Sequence, residues 1–181
     1  MVPKVRREFF LTSAYYYRTI GNRDKSLSQL KKAIPLVRDS DYRSRLHYIV
    51  GQLHQKKNQP DSAYHHYSMV LKKNPPYDLS FFAKLNMSQV SNPTEEHEIK
   101  KIRKYFSKML VDLKNEEFRD RIYYDMAQFE LKQDNRDSSI TLLNKSLTVE
   151  GGVTPHMKAY SYLSLGKIHY NHPTMEKLKK Y

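Results

Sequence analysis

The chain repeats itself. The stretch Tyr42-Arg43-Ser44-Arg45-Leu46-His47-Tyr48 returns 76 positions later as Phe118-Arg119-Asp120-Arg121-Ile122-Tyr123-Tyr124. The echo continues at the same offset: Gly51 with Ala127, Gln52 with Gln128, Lys56 with Lys132, Asp61-Ser62 with Asp137-Ser138, and Leu71 with Leu147. A shared offset over this length describes an array of like units, each burying its apolar side against its neighbours. Such arrays usually serve as binding surfaces rather than as enzymes.

The offset divides into two units of about 38 residues. Each unit carries a small residue followed three later by a larger one: Ala14 with Tyr17, Gly51 with His54, Ala127 with Glu130, Gly166 with His169. A second short residue lies twelve on from the first three (Ser26, Ala63, Ser139), and a bulky one four further (Leu30, Tyr67, Leu143). Small residues let two helices of a hairpin approach closely, and the large ones fill the space beside that contact. The pattern resembles the tetratricopeptide (TPR) repeat, whose nominal period is 34. In the second unit His47, Gly51, His54, Ala63, Tyr67, Val70 and Pro75 occupy the signature positions in order. The third unit, around Met87 and Phe106, is degenerate and carries an inserted Asn92-Pro93, and the signature Trp is absent from the chain. The resemblance implies an all-α fold: one solenoid over residues 1–181, a right-handed superhelical array of about four and a half helical hairpins.

Turn signals at Gly21-Asn22, Asn58-Gln59-Pro60, Asn74-Pro75-Pro76, Asn92-Pro93, Gly151-Gly152 and Asn171-His172-Pro173 set the expected helices. These are 3–20, 23–38, 41–57, 60–74, 77–91, 94–113, 116–133, 136–149 and 155–171, with a stub at 173–181. Asp41 and Thr94 are the expected N-caps, with Glu95, Glu96 and Glu98 at the favoured end of a helix dipole. Pro35 is expected to end its helix early. The stub starts a helix with no solvating cap behind it, which suits part of a longer protein.

Thirty-two Lys and Arg against 19 Asp and Glu give a net charge of +13, which suits acidic proteins, anionic headgroups or nucleic acid. With no Cys, disulfides, thiol catalysis and Cys-based metal sites are excluded. Arg6-Arg7 before Phe9-Phe10-Leu11 loosely resembles a signal peptide, but the apolar run stops at Thr12 and no cleavage site follows. No stretch has the roughly twenty apolar residues of a membrane span.

No glycine-rich phosphate loop, paired-histidine zinc helix or nucleophile elbow occurs. His65 and His66 are adjacent and point to different helix faces, while His47 and His54 take packing positions, so the histidines read as structural. The carboxylates read as scattered and solvent-facing. The run Lys100, Lys101, Arg103, Lys104, Lys108, alternating with Ile99, Ile102, Tyr105, Phe106 and Met109, reads as an amphipathic helix with a solvated basic face. No nucleic-acid module is recognisable. The expectation is no catalytic residue, no cofactor and no metal.

In TPR arrays the first helix of each hairpin lines an inner groove. That register implies inward positions at Tyr15 and Arg18, then Arg45, Tyr48, Gln52 and Lys56, then Lys84 and Ser88, then Arg121, Tyr124, Gln128 and Lys132, and finally Lys167 and Tyr170. The set is polar, aromatic and basic, the composition of interface anchors. The expected partner is an acidic or extended protein segment, with no nucleic acid and no membrane insertion by this chain.

Lys72-Lys73-Asn74-Pro75-Pro76-Tyr77-Asp78 leads into Phe82-Ala83-Lys84-Leu85-Asn86-Met87, followed by Ile102-Arg103-Lys104-Tyr105, Lys108-Met109-Leu110, Ile122-Tyr123-Tyr124 and Phe129-Glu130-Leu131-Lys132-Gln133. These segments resemble the TPR region of the PorW/SprE-type gliding-motility and type IX secretion lipoproteins of the Bacteroidetes. The resemblance implies a scaffold at the periplasmic face of the outer membrane that links a translocon to ring and motor parts. The lipid-bearing Cys and signal of that family are missing here. The alternatives are a cytoplasmic TPR sensor or regulator that binds a peptide or signalling protein, and an accessory domain of an enzyme.

Overall fold

A computed structural model describes residues 2–170. Among them all regular structure is helical, as the pattern predicts, and no strand occurs. The stub expected at 173–181 lies outside the described residues. The chain forms two compact units, 1–91 and 92–181, dividing at the inserted Asn92-Pro93.

The first unit holds α1 (Pro3–Thr19), α2 (Arg23–Ala33) with a 3-10 turn at Ile34–Leu36, α3 (Ser40–Lys56), α4 (Pro60–Val70) with a 3-10 turn at Leu71–Lys73, and α5 (Tyr77–Val90). The second holds α6 (Glu96–Val111), a 3-10 turn at Leu113–Phe118, α7 (Arg119–Lys132), α8 (Arg136–Leu147) and α9 (Pro155–Tyr170). Packing is between sequence neighbours: α1 on α2, α3 on α4 and α4 on α5, then α7 on α8 and α8 on α9. Pro35 ends α2 as expected: with no N–H to donate to the Lys31 carbonyl, the chain tightens into the 3-10 turn.

Two caps differ from expectation. Asp39, not Asp41, caps α3: its Oδ1 accepts from the Tyr42 N–H at 2.6 Å, and Asp41 lies in the first turn. Asp39 has extended backbone, which places its carboxylate over the open N–H groups. Helix α6 starts after Glu95, with Thr94 outside it and no side-chain cap. Glu96 and Glu98 in its first turn offset the dipole instead.

The 76-residue offset recurs in three dimensions. Asn58 (φ 53°) and Asp134 (φ 56°), equivalent in sequence, both take the left-handed conformation that ends α3 and α7. Asn and Asp enter that region more readily than other side-chain-bearing residues. The chain then folds back identically: the Gln59 N–H reaches the His54 carbonyl at 3.0 Å, and the Asn135 N–H reaches the Glu130 carbonyl at 2.9 Å.

The seams inside the two hairpins are matched differently. In α3–α4 a Cβ added to Gly51 would lie 2.6 Å from Cε1 of the fully buried Tyr67, so only glycine fits against that ring. In α7–α8 the equivalent pair is Ala127 and Leu143, both fully buried in one cluster with Ile168. The smaller Leu leaves room for the methyl of Ala127. A core of Ala14, Leu27, Leu30, Val37, Leu46 and Val50 joins α1, α2 and α3. There Ser26 Oγ donates to the Ala14 carbonyl at 2.9 Å, which the two small residues permit.

Candidate partner-binding face

In the first unit α3 turns two sides to its surroundings. Ser44, Leu46, His47, Val50, Gly51 and His54 are buried. Arg45, Gln52 and Lys56 fall on the opposite side and are exposed. Tyr48 lies with them but is half-buried: its ring packs 5.6 Å from Tyr67, and its hydroxyl accepts from Asn86 Nδ2 at 3.0 Å. Gln55 accepts from the Tyr67 hydroxyl at 2.6 Å and donates to Gln89 at 3.2 Å. These bonds hold α5 beside α3. Burial, with the neighbouring Tyr48, pushes the Tyr67 hydroxyl above its ordinary range, so it stays a donor. Lys84 is exposed on α5, whereas Ser88, expected inward, is buried and bonded to the Lys84 carbonyl at 3.2 Å. On α1, Tyr15 and Arg18 are exposed, with the guanidinium 5.3 Å above the ring.

The equivalent residues of the second unit are engaged internally. Arg121 Nε lies 2.8 Å from the fully buried Asp125 carboxylate. Tyr124 packs 6.1 Å from Tyr160, and Gln128 Nε2 donates to Ser164 Oγ at 3.1 Å, both on α9. Lys132, Lys167 and Tyr170 are exposed. The side chains equivalent to Arg45 and Gln52 therefore serve packing in this unit.

Carboxylates are not all at the surface, contrary to the sequence reading. Asp120, Asp125 and Glu130 are buried. Asp120 accepts from the Thr154 N–H and Oγ1, both at 2.9 Å, which ties the loop before α9 to the start of α7. Glu130 takes both arms of Arg103 at 2.7 Å, so Arg103 leaves the solvated face of α6 to dock that helix on α7. Asp120 and Glu130 read as surface charge in isolation because their partners lie 27 or more residues away. The other basic residues of the α6 run, Lys100, Lys101, Lys104 and Lys108, are exposed as expected.

The histidines cluster. His47 and His54 are buried as their packing positions imply, and His66 of α4 joins them. The Nδ1 atoms of His47 and His66 lie 3.0 Å apart, and the His54 ring stacks on His66 at 5.4 Å. Desolvation, reinforced by the neighbouring histidines and Lys31, holds His66 down to about 4, so the cluster is neutral at neutral pH. Desolvation also lowers His47 and His54. Among the described residues no three His or acidic side chains are arranged to hold a metal ion. An open cleft of about 650 Å³ in the second unit is lined by Glu116, Glu117, Glu150, Gly151 and Gly152, with Asp120 already bonded to Thr154. Among the described residues no helix is long and apolar enough to cross a membrane.

No known protein-family pattern matches the chain, and no curated protein resembles it significantly.

Proposed function

We propose that the chain is a non-enzymatic TPR-type scaffold, its hairpins stacked in a right-handed superhelix, that docks an extended acidic segment of a partner protein. The observation that carries this reading is the face of α3: Arg45, Gln52 and Lys56 exposed in one line, with Asp41 in the first turn its one carboxylate, on a helix fixed to α5 by the Tyr48–Asn86 bond. Arg45 offers a planar fork for a carboxylate, and Tyr48 an aromatic floor that loses little entropy on contact. Lys84 on α5, with Tyr15 and Arg18 on α1, extends the same chemistry within the unit. In the second unit the reading rests on the exposed Lys167, since Arg121, Tyr124 and Gln128 have internal partners.

The segments similar to PorW/SprE-type proteins make a type IX secretion or gliding-motility component the proposed partner, at the periplasmic face of the outer membrane. The test is a photo-crosslinking residue placed at Gln52 in the native cells, with and without Arg45→Ala plus Lys56→Ala. A crosslink to a secretion component that is lost with the double substitution supports the reading. A crosslink to a cytoplasmic signalling protein replaces it with the regulator reading. A crosslink unaffected by the substitutions overturns the role given to the α3 face.

A further inference from the structure

Helix α1 carries a second apolar line that is more than half exposed among the described residues. Val2 at the N-cap, Val5, Phe9 and Tyr16 within the helix and Ile20 at the C-cap follow one another in steps of three, four, seven and four residues, and they are 66, 54, 55, 57 and 56% exposed. They lie opposite Ala14, the buried residue through which α1 meets α2. Spacings of three, four and seven residues keep a line of side chains along one edge of a helix, the pattern of a helix–helix seam. The 17 residues of α1 span about 25 Å at 1.5 Å per residue, so the stripe presents a long, narrow contact. Extended segments repeat every two residues and match it poorly. Five large apolar side chains in one exposed line are uncommon on a chain this polar and mark an interaction surface.

The two aromatic residues are braced. Phe9 meets Phe10 edge-on with centroids 5.7 Å apart, and Tyr16 meets Tyr17 likewise at 5.5 Å. Bracing of this kind lowers the entropy lost when a partner arrives. Cations flank the stripe on that side: Arg6 and Lys32 sit over the Phe10 ring at 5.7 and 5.9 Å, and Lys25 over Tyr17 at 5.3 Å. None of the three has a carboxylate within ion-pair distance among the described residues. The one carboxylate of α1, Glu8, is bound by Arg7 at 2.6 Å.

We propose that this stripe docks an amphipathic helix of another protein whose apolar seam is flanked by acidic residues. An antiparallel pairing of α1 helices from two copies is disfavoured, because it brings Arg6, Lys25 and Lys32 of one copy toward those of the other. The face is separate from that of Tyr15 and Arg18, so the inference stands apart from the reading of the α3 groove.

The test uses the full chain and two synthetic helical peptides of about three heptads, with Leu at the seam positions and either Glu or Lys beside them. Fluorescence anisotropy is expected to show the Glu-flanked peptide binding at least roughly tenfold tighter than the Lys-flanked one. Phe9→Glu with Tyr16→Glu should weaken the Glu-flanked peptide by a similar factor, while Arg45→Ala with Lys56→Ala should leave it unchanged. Circular dichroism verifies the fold. Should the Phe9/Tyr16 variant unfold, Arg6→Glu with Lys32→Glu serves in its place and should reverse the preference between the peptides. Equal binding of both peptides, binding of neither, indifference to the α1 substitutions, or an α1-dependent dimer in sedimentation velocity overturns the proposal.

Discussion

Glu130 stands in the α7–α8 hairpin where His54 stands in α3–α4, and each bonds the side chain five residues on. His54 Nδ1 lies 2.7 Å from Gln59 Oε1, and Glu130 Oε2 accepts from Asn135 Nδ2 at 3.0 Å. Both residues are buried. The position demands a polar side chain that pins the turn, and two chemistries meet that demand. A neutral imidazole needs no counter-charge. A carboxylate does, and Arg103 supplies it from α6.

That difference makes Arg103 the sensitive residue of the second unit. Arg103→Leu should strand a buried carboxylate and destabilise this unit by about 1–3 kcal/mol, less than for a fully buried pair because the Arg103 side chain is 42% exposed, read as a lowered midpoint in urea unfolding. Adding Glu130→Leu should recover most of the loss, since a buried ion pair is often no better than apolar packing. A single substitution costing less than a surface pair would show that α6 does not depend on this bond.

The histidine cluster gives the first unit a dependence on pH. The folded state holds His66 near 4, against an ordinary value of 6.5. The unfolded chain therefore binds more protons between these values, and stability falls as pH drops through that window. Above about 6.5 the contribution is fully present, and near 4 it is gone. The half-buried ring sets the scale at no more than about 3 kcal/mol. His66→Phe should flatten the profile in melts run from neutral to acid pH. An unchanged slope would assign the acid sensitivity to other groups.

The seam of α3–α4 predicts a compensating pair. Gly51→Ala should destabilise by about 1–3 kcal/mol, because the Tyr67 ring it meets is fully buried and the gain in helix propensity is smaller. Tyr67→Leu on its own should cost a comparable amount through the space it opens. Together they recreate the Ala127–Leu143 pair of the second unit. The double variant should therefore be more stable than the sum of the single losses, a coupling measurable in a thermodynamic cycle.

How much of this was legible in the sequence follows from the range of the interactions. The small–large spacing around Gly51, Ala63 and Tyr67, and the turn at Asn58-Gln59-Pro60, are local signals, and they gave the helices and hairpins. Asp39 and Asp41 both precede the same apolar pattern, and only the backbone decides which carboxylate turns inward. Burial of Asp120 and Glu130 could not be read from a single segment, because it depends on Thr154 and Arg103, whereas Asp125 pairs with Arg121 one helical turn away. The candidate face was half legible. The helical period puts Arg45, Gln52 and Lys56 on one side of α3, but nothing local shows that the equivalent Arg121 and Gln128 have found partners. The α1 stripe was in plain view as spacing and was obscured by Phe10, Leu11 and Ala14, which form the opposite, buried side.

Tyr48 supplies a further prediction. Tyr48→Phe removes the hydroxyl that accepts from the buried Asn86 amide, a side chain that the Tyr67 hydroxyl also engages. The loss should be about 0.5–1.5 kcal/mol. Asn86→Leu in the same background should restore part of it. If Tyr48→Phe is neutral in thermal unfolding, the hydroxyl is not what keeps α5 against α3.

The Ser44 hydroxyl reaches the Val70 carbonyl at 3.5 Å, whereas in the other hairpin the Ser146 hydroxyl reaches the Asp120 carbonyl at 2.8 Å. The contact is the same and the roles are exchanged. For a chain containing two similar hairpins, this asymmetry guards against misassembly. Were α7 to fold against α4, the carbonyls of Asp120 and Val70 would face each other with no hydroxyl between them, and the methyl of Ala127 would press into the Tyr67 ring. Were α3 to fold against α8, Gly51 would leave a void beside Leu143. Each helix thus fits its own partner better than it would fit its homologue's partner.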